Sequence, residues 1–379
     1  MVRSRKKVLL VANTSWYLCN FRIGVIRYFQ AQQFEVVAVS PKDNFSHQLQ
    51  GYGCRWVDLP LLPHSTNPLS DLYLLWRLYA LYAAEQPALV IHYTIKPNVY
   101  GSLAAGLLRL PSVAVFSGAG RAFAKQDWLN RIVKRLLKIA LRFATEVWFV
   151  NPDDRALFLA EQLVLPEKTY LVPGEGIDTA HFSPQSALAH LPPSSSDKVI
   201  FLMSARLLRE KGVELYAQAA RCLKPKYPNA EFQLLGFLSE GNPAFVSKAE
   251  VESWKEYVQY LGDTQNVLPY LSAADCVVLP SSYREGTPRT LLEAASLEKP
   301  IVTTNQVGCR HVVEDGVTGF LVQPNNLKDL VEKLERILTM SPEARAEMGR
   351  RGRLKMLKEF DESLVIECYH ALLQRLHLA

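Results

Sequence analysis

The sequence has no apolar stretch long enough for a membrane-spanning helix, which needs about 18–20 uncharged residues. Its basic start, Met1–Lys7, leads directly into a strand pattern, so we expect no secretory signal. The six cysteines are scattered, with no CxxC pair and no metal-ligand spacing with histidine. We therefore expect reduced, mostly packed thiols. Low-complexity tracts are also missing, so both halves should be folded.

Glycine is missing from two turns where a dinucleotide-dependent oxidoreductase would need it. Asn13–Cys19 and Val199–Leu208 contain no glycine, whereas such enzymes place G-x-G-x-x-G after a strand, with an acidic residue about 20 positions later. No nucleic-acid-binding module is recognisable either. An NAD-dependent oxidoreductase and a nucleic-acid-binding protein are thus remote alternatives.

The positive charge is concentrated in the first half of the chain. Residues 1–185 hold 20 Lys and Arg against 13 Asp and Glu, and residues 186–379 hold 23 against 24. If either half meets an anionic partner, it is the first.

Two blocks of alternating strand and helix patterns predict two doubly wound α/β domains. Continuous apolar strands indicate parallel sheets covered on both faces, and ligands bind outside the carboxyl ends of such strands. We expect domains at 1–186 and 199–360, a linker at 187–198, and a C-terminal helix within 361–379 that packs back on the first domain. The predicted strands are Lys7–Asn13, Phe34–Ser40, Leu89–Thr94, Ser112–Phe116, Glu146–Val150, Val199–Met203, Phe232–Leu235, Cys276–Leu279 and Ile301–Thr303.

The segment 284–293, Arg-Glu-Gly-Thr-Pro-Arg-Thr-Leu-Leu-Glu, is the most informative motif. It follows an apolar strand and opens a helix, where free N–H groups form an anion site and Gly286 allows close backbone approach. Glu285 would lie at the strand end and Glu293 about two turns into the helix on the same side, so the two carboxylates could accept hydrogen bonds from sugar hydroxyls at different depths. Two glutamates near a helix start could equally be caps or surface charges.

The motif resembles the E-x7-E element of retaining glycosyltransferases with the GT-B fold, in which two Rossmann-like domains face a cleft. Further similar elements are Ser204–Gly212, Gly262-Asp263 before Val267–Leu271, and Asp315–Val322. The resemblance implies that Arg206 and Lys211 clamp the donor diphosphate without a metal or other cofactor, and that Glu285 holds the donor sugar. It implies that Glu293 binds the ribose hydroxyls. The further donor-binding residues that it implies are Gly236, Val267, Leu268, Gly286, Thr287, Pro288 and Arg289.

On the acceptor side, His92–Gly101 is most similar to a bacterial subgroup, including N-acetylgalactosaminyltransferases, that extends sugars on polyprenyl diphosphate. His92 alone could also be a core histidine. The chain departs from the wider family twice: no glycine-rich loop follows the first strand, and Ser117-Gly118 stands where many members carry a cleft histidine. The acceptor-side residues implied by the resemblance are Thr14, Ser15, Arg22, His92, Thr94, Lys96, Asn98 and Gly118.

The segment Arg121–Phe143 predicts a basic amphipathic helix that docks on an anionic membrane surface, although an ordinary domain helix is the alternative. Together with the resemblance, it indicates a peripheral enzyme on the cytoplasmic face of the membrane. The expected reaction moves an N-acetylhexosamine from a UDP-sugar to a polyprenyl-diphosphate-linked saccharide. A transferase of the same fold with a soluble acceptor is the alternative. The basic residues of the segment are Arg121, Lys125, Arg131, Lys134, Arg135, Lys138 and Arg142.

Overall fold

The computed structural model describes residues 5–61, 67–118, 128–188, 198–238, 242 and 244–378. The chain divides into two compact units: one comprises Met1–Gly176 together with Glu362–Ala379, and the other comprises Ile177–Asp361. Most of the expected linker, residues 189–197, lies outside the described residues. The division between the units falls before that linker, after Gly176.

The first unit is built on a seven-stranded parallel sheet with the order β3-β2-β1-β4-β5-β6-β7. Its central strands β4 and β5 are buried at every position, as continuous apolar runs predict. The strands are β1 (Lys7–Val11), β2 (Glu35–Ser40), β3 (Arg55–Asp58), β4 (Leu89–Tyr93), β5 (Ser112–Phe116), β6 (Glu146–Phe149) and β7 (Thr169–Leu171).

Helices cover both sides of this sheet. Since β3 to β4, β4 to β5 and β5 to β6 are crossovers in one direction, the right-handed rule puts their helices, α4, α5 and α6, on the same side. A π-helical turn, Pro97–Gly101, precedes α5. The helices are α1 (Ser15–Phe21), α2 (Ile23–Ala31), α3 (Ser46–Gly51), α4 (Pro68–Glu85), α5 (Ser102–Leu107), α6 (Trp128–Phe143) and α7 (Pro152–Ala160), with a 3-10 turn at Pro166–Lys168.

The second unit has a six-stranded parallel sheet with the order β10-β9-β8-β11-β12-β13. Its helices are α8 (Pro184–Leu188), α9 (Val213–Leu223), α10 (Lys248–Ser253), α11 (Leu268–Ala273), α12 (Arg289–Ser296), α13 (Cys309–Val312), α14 (Leu327–Thr339) and α15 (Pro342–Glu359), with a 3-10 turn at Arg209–Lys211. The strands are β8 (Val199–Ser204), β9 (Ala230–Leu235), β10 (Gln259–Tyr260), β11 (Cys276–Leu279), β12 (Ile301–Thr304) and β13 (Gly319–Val322).

The last helix, α16 (Glu362–Arg375), belongs to the first unit. Its Tyr369 is buried and donates or accepts a 2.8 Å hydrogen bond with the Tyr93 hydroxyl. Arg375 forms a 2.8 Å ion pair with Glu146 of β6. The end of the chain is therefore part of the core around the first sheet.

The predicted fold class, two doubly wound parallel α/β sheets, is confirmed. Among the described residues, no helix has both the length and the apolar character needed to cross a membrane.

Candidate active site

The predicted donor residues follow the strands of the second sheet at their carboxyl ends. Arg206 comes after β8, Gly236 directly after β9, and Glu285 after β11. All these strands are parallel, so their carboxyl ends lie at one edge of the sheet. The fold thus brings together at this edge segments that are far apart in the sequence.

Lys211 and Glu285 meet at this edge. The Lys211 ammonium forms an ion pair with the Glu285 carboxylate, and the Ser281 hydroxyl donates to the same carboxylate at 3.0 Å. The contact depends on Gly212, which has φ +81° and where a Cβ would collide with the carbonyl oxygen of Pro280. Since both charged side chains are about seven-eighths buried, at 13% and 12% exposure, solvent screens their interaction only weakly.

Arg206, by contrast, has an exposed side chain, which makes no hydrogen bond or ion pair with the rest of the described chain. Its guanidinium keeps its N–H donors available to a ligand, and a guanidinium fork matches phosphate oxygens geometrically. This edge of the sheet therefore carries two cations: Arg206, which is exposed, and Lys211, which is paired with the Glu285 carboxylate.

A neighbouring loop fixes the backbone of Glu285 and Gly286. The Glu285 N–H donates to the Val307 carbonyl at 3.1 Å. Gly308 has φ +87°, and a Cβ there would lie 2.6 Å from the Gly286 carbonyl oxygen and 2.7 Å from that of Glu285. Sequence reasoning missed Gly308, although Val307-Gly308 follows the end of the apolar strand β12 after two intervening residues, where a ligand-side turn is expected.

Glu293 lies in the second turn of α12. It is buried, and its carboxylate accepts a 2.9 Å hydrogen bond from Arg289 Nε. Burial raises the pKa of Glu293, and the Arg289 guanidinium opposes that rise. Gly286, Thr287 and Pro288 are also buried, with Pro288 at the N-cap of α12.

The other predicted donor residues are engaged within the fold. Gly236 donates its N–H to the Gly262 carbonyl at 2.8 Å, and its own carbonyl accepts from the Tyr260 hydroxyl at 2.8 Å. Leu268 is buried in the core of the second unit, and Val267 packs against that core. Both residues follow β10 at the start of α11, and the Leu268 side chain faces the interior.

In the first unit, Arg22 belongs to a buried polar cluster. It forms an ion pair with Glu175, and its side chain and that of Glu175 are only 3% and 5% exposed. Arg22 Nη2 also donates to the Tyr17 hydroxyl at 2.6 Å, which lies 2.8 Å from the Ser117 hydroxyl. Burial raises the pKa of Tyr17, so this phenol stays protonated. Ser117, the position where the resemblance led us to expect a cleft histidine, is therefore linked through Tyr17 to a buried charge pair.

Thr14 and Ser15 hold the start of α1. The Thr14 hydroxyl accepts from the Tyr17 N–H at 3.1 Å and caps the helix. Ser15 is fully buried and shares 2.8 Å hydrogen bonds with the hydroxyls of Ser40 and Ser46. Because Ser15 is buried and hydrogen-bonded in this way, it holds the start of α1 in place and does not itself face a ligand.

The segment after β4 contains an unusual backbone. Thr94 has φ +70°, which is rare for a β-branched residue and marks local strain. The following π-helical turn starts at Pro97, and such turns are frequent at functional sites. Lys96 forms a 2.7 Å ion pair with Asp71 of α4, and Asn98 is buried and donates to the Val115 carbonyl at 2.8 Å.

His92 is fully buried, and its Nε2 shares a 2.9 Å hydrogen bond with the Tyr82 hydroxyl. Burial lowers the pKa of His92 to about 3, so the imidazole is neutral. This is the core histidine of the alternative interpretation, and it can influence an acceptor only through its neighbours. Gly118 has φ +116° and directly follows Ser117 at the end of β5.

The basic segment forms α6, described from Trp128 onward; Arg121–Asp127 lie outside the described residues. Leu137, Ala140 and Leu141 are buried against the sheet. The outward face mixes basic and apolar side chains: Arg131, Ile132, Arg135, Ile139, Arg142 and Phe143 are exposed. No three or more His, Cys, Asp or Glu side chains of the described chain are placed to hold a metal ion.

Two glycosyltransferase family models match the chain, one on each half. The "Glycosyl transferase 4-like" model matches residues 7–151, and the "Glycosyl transferases group 1" model matches residues 191–355. Together with the two parallel sheets, these matches define the class: the chain is a glycosyltransferase of the GT-B fold.

Relatives and solved structures narrow the comparison. The chain is 28% identical over 367 residues, covering 94% of this chain and 95% of the relative, to the N,N'-diacetylbacillosaminyl-diphospho-undecaprenol alpha-1,3-N-acetylgalactosaminyltransferase of Campylobacter jejuni. It is 26% identical to the Escherichia coli UDP-Gal:alpha-D-GlcNAc-diphosphoundecaprenol alpha-1,3-galactosyltransferase, covering 74% of this chain and 73% of that relative. In fold it matches Anabaena HepE, solved in complex with UDP, with a TM-score of 0.77 at 19% identity over 97% and 99% of the two chains.

Proposed function

We propose that this glycosyltransferase moves an N-acetylhexosamine, such as N-acetylgalactosamine, from a UDP-sugar to a saccharide on polyprenyl diphosphate, with retention of configuration. The observation that carries the proposal is the ion pair of Lys211 and Glu285 at the same edge of the sheet as the exposed Arg206. The Campylobacter relative, similar over nearly its whole length, supports the choice of sugar and acceptor.

The chemistry requires positive charge where the donor diphosphate leaves. Arg206 and Lys211 supply two cations at one sheet edge, so a metal is not needed to stabilise the departing group in this proposal. Lys211 is paired with Glu285, and donor binding would draw the ammonium toward the phosphates. Glu285 would then accept hydrogen bonds from the donor sugar.

The remaining donor contacts follow from α12. The Glu293 carboxylate, positioned by Arg289, is the acceptor proposed for the ribose hydroxyls. Its burial limits competition from water, so these hydrogen bonds would be stronger than at an exposed carboxylate.

The proposed step is a front-face displacement. The acceptor hydroxyl oxygen forms the new bond to the anomeric carbon as the bond from that carbon to the diphosphate breaks. The hydroxyl proton passes to the departing phosphate oxygen, and the products are UDP and the extended lipid-linked saccharide. No nucleophilic side chain is required.

The acceptor would approach the first unit, where Lys96 and the strained Thr94 follow β4. An acceptor carried on a polyprenyl chain stays in a membrane, so we place the enzyme peripherally on its cytoplasmic face. The basic outward face of α6 suits the surface of anionic lipids.

The test combines donor binding with transfer. Calorimetry with UDP-N-acetylgalactosamine, UDP-N-acetylglucosamine, UDP-galactose and a GDP-sugar should give binding of a UDP-N-acetylhexosamine. Incubation with that donor and a short polyprenyl-diphosphate sugar in detergent, without added metal and with a chelator, should yield an α-linked product by NMR. Absence of binding to every nucleotide sugar would refute the donor assignment, and a β-linked product would refute retention. Transfer to a free saccharide, but not to the lipid-linked one, would favour the alternative acceptor.

A further inference from the structure

Helix α4 exposes an apolar face that the rest of the described chain leaves uncovered. Leu69, Leu72 and Trp76 are 76%, 63% and 58% exposed, and Tyr73 and Tyr79 are also exposed. Spacings of three and four residues place these side chains on one face of the helix. The opposite face is buried through Leu74, Leu78 and Tyr82. A monomer in water rarely exposes so many large apolar side chains together, and such a patch is typical of a surface that docks on a protein or a membrane.

The composition of the face suits the boundary of a lipid bilayer. Trp and Tyr prefer the membrane–water boundary because their rings are apolar and carry one polar group. Trp76 and Tyr73 stack with ring centroids 5.9 Å apart, which presents a flat aromatic surface. The charged residues of α4, Asp71, Arg77 and Glu85, lie off this face and are half-buried.

The surroundings of α4 carry charge complementary to anionic lipids. Helices α4, α5 and α6 cover the same side of the first sheet, with α5 in contact with both of the others. Leu107 at the end of α5 is 63% exposed, and α6, from Trp128 to Phe143, contains basic residues but no Asp or Glu. Apolar and aromatic side chains beside basic ones form the two components of a peripheral membrane anchor.

The position of α4 connects this surface to the acceptor side of the site. Because α4 follows β3, its first turn, where Leu69 lies, is at the carboxyl edge of the sheet, and Leu72 begins the second turn. Asp71 in the first turn forms the 2.7 Å ion pair with Lys96 and accepts a 2.8 Å hydrogen bond from the Tyr100 hydroxyl. The turn of α4 that carries the most exposed apolar residue, Leu69, is thus linked through Asp71 to the segment after β4.

We propose, on the basis of the proposed function, that the outward face of α4 inserts into an anionic lipid bilayer and acts together with the basic face of α6. The inserted end of α4 places the Lys96 segment at the membrane surface, where the diphosphate and sugar of a lipid-linked acceptor emerge.

Vesicle binding tests the proposal without any sugar. The full chain should co-sediment with vesicles of phosphatidylglycerol and phosphatidylethanolamine, and the double variant Leu72→Gln/Trp76→Gln should bind them at least tenfold more weakly. Both side chains are exposed, so the thermal unfolding midpoint should not change. The matched control is Leu354→Gln/Leu357→Gln, which alters two exposed leucines of α15 and should bind as the unchanged chain does.

Insertion can be distinguished from surface adsorption by fluorescence. Brominated acyl chains should quench tryptophan emission in the unchanged chain, and Trp76→Phe should bind the vesicles but lose that part of the quenching. Equal vesicle binding by the α4 variant and the unchanged chain would overturn the proposal. So would a dimer in lipid-free solution that the α4 variant dissociates, because a second copy would then cover the face.

The two proposals fail in different ways. The α4 variant should keep its nucleotide-sugar affinity and its rate on a short-chain, detergent-dispersed acceptor, while transfer to a long-chain acceptor in vesicles falls at least tenfold. If the α4 variant loses vesicle binding but neither it nor the unchanged chain transfers a sugar to any acceptor, the proposed function is refuted and the proposed membrane surface is not.

Discussion

Removing the carboxylate of the buried Arg22–Glu175 pair should destabilise the first unit strongly. In Glu175→Ala, the Arg22 guanidinium remains among Tyr17, Tyr93 and Tyr369 with no anionic partner. Both side chains of the native pair are at most 5% exposed, so water cannot replace the lost carboxylate without opening the core. Breaking a buried pair in this way costs about 3–5 kcal/mol.

The assay is thermal and urea unfolding followed by circular dichroism. A loss of that size lowers the melting midpoint of a domain of this size by roughly 6–20 °C. Removing both charges in Arg22→Met/Glu175→Leu should cost less than the single change, because no uncompensated charge remains. The matched control, Glu347→Ala, breaks the ion pairs of exposed Arg350 and Arg351 on α15 and should leave the midpoint unchanged. A shift in Glu175→Ala no larger than in this control would refute the claim that the buried pair supports the first unit.

Three further predictions concern the carboxyl edge of the second sheet, where the donor is proposed to bind, and the buried His92. Arg206→Ala should reduce turnover about 10²–10³-fold with an unchanged melting midpoint, whereas Arg351→Ala should alter neither; near-normal turnover would refute the role of Arg206. Gly308→Ala should destabilise the second unit by about 1–3 kcal/mol, because a Cβ at φ +87° collides with the Glu285 and Gly286 carbonyls. The control is Gly316→Ala, which also has a positive φ, +74°, but has open space around it, so the difference between the two variants measures the collision. Burial holds the pKa of His92 at about 3 in the folded chain. Below about pH 6.5 the unfolded imidazole therefore takes up a proton and the folded one does not. The contribution of His92 should thus lower the free energy of unfolding by about 2 kcal/mol between pH 8 and pH 5. Urea titrations at both pH values should show that His92→Gln lacks this part of the decrease, and an equal decrease in the variant would contradict the buried neutral state.

The strands at the centre of both sheets could be predicted from the sequence, and the strands at the edges could not. Central strands such as β4 and β5 are buried on both faces and therefore appear as continuous apolar runs. The strands that the prediction omitted, β3, β7, β10 and β13, are the four edge strands of the two sheets. An edge strand is covered less completely, as the half-exposed residues of β3 illustrate, so its sequence lacks a long apolar run.

The donor motif could be proposed from the sequence, because the resemblance rests on residues that lie close together or in recognisable segments, and its role in donor binding stays a prediction. The ion pair between Lys211 and Glu285 joins residues 74 positions apart, and only the resemblance to a family suggested that they meet. The roles of Ser15 and His92 depend on burial, which spacing alone does not reveal. The exposed face of α4 was missed because apolar residues in a helix are ordinarily assigned to the core.

The division of the chain allows the second unit to be exchanged as one piece. The second unit is one uninterrupted segment, Ile177–Asp361, inserted into a first unit that contains both chain ends. Its two ends lie side by side, because Ile177 and Asp361 form a parallel bridge and the Ile177 N–H donates to the Phe360 carbonyl at 2.9 Å. Domains whose two ends lie close together are tolerated as insertions in a host domain. On the proposed assignment of the donor to the second unit, replacing this segment with the equivalent segment of a relative should change the donor and leave the proposed acceptor side intact.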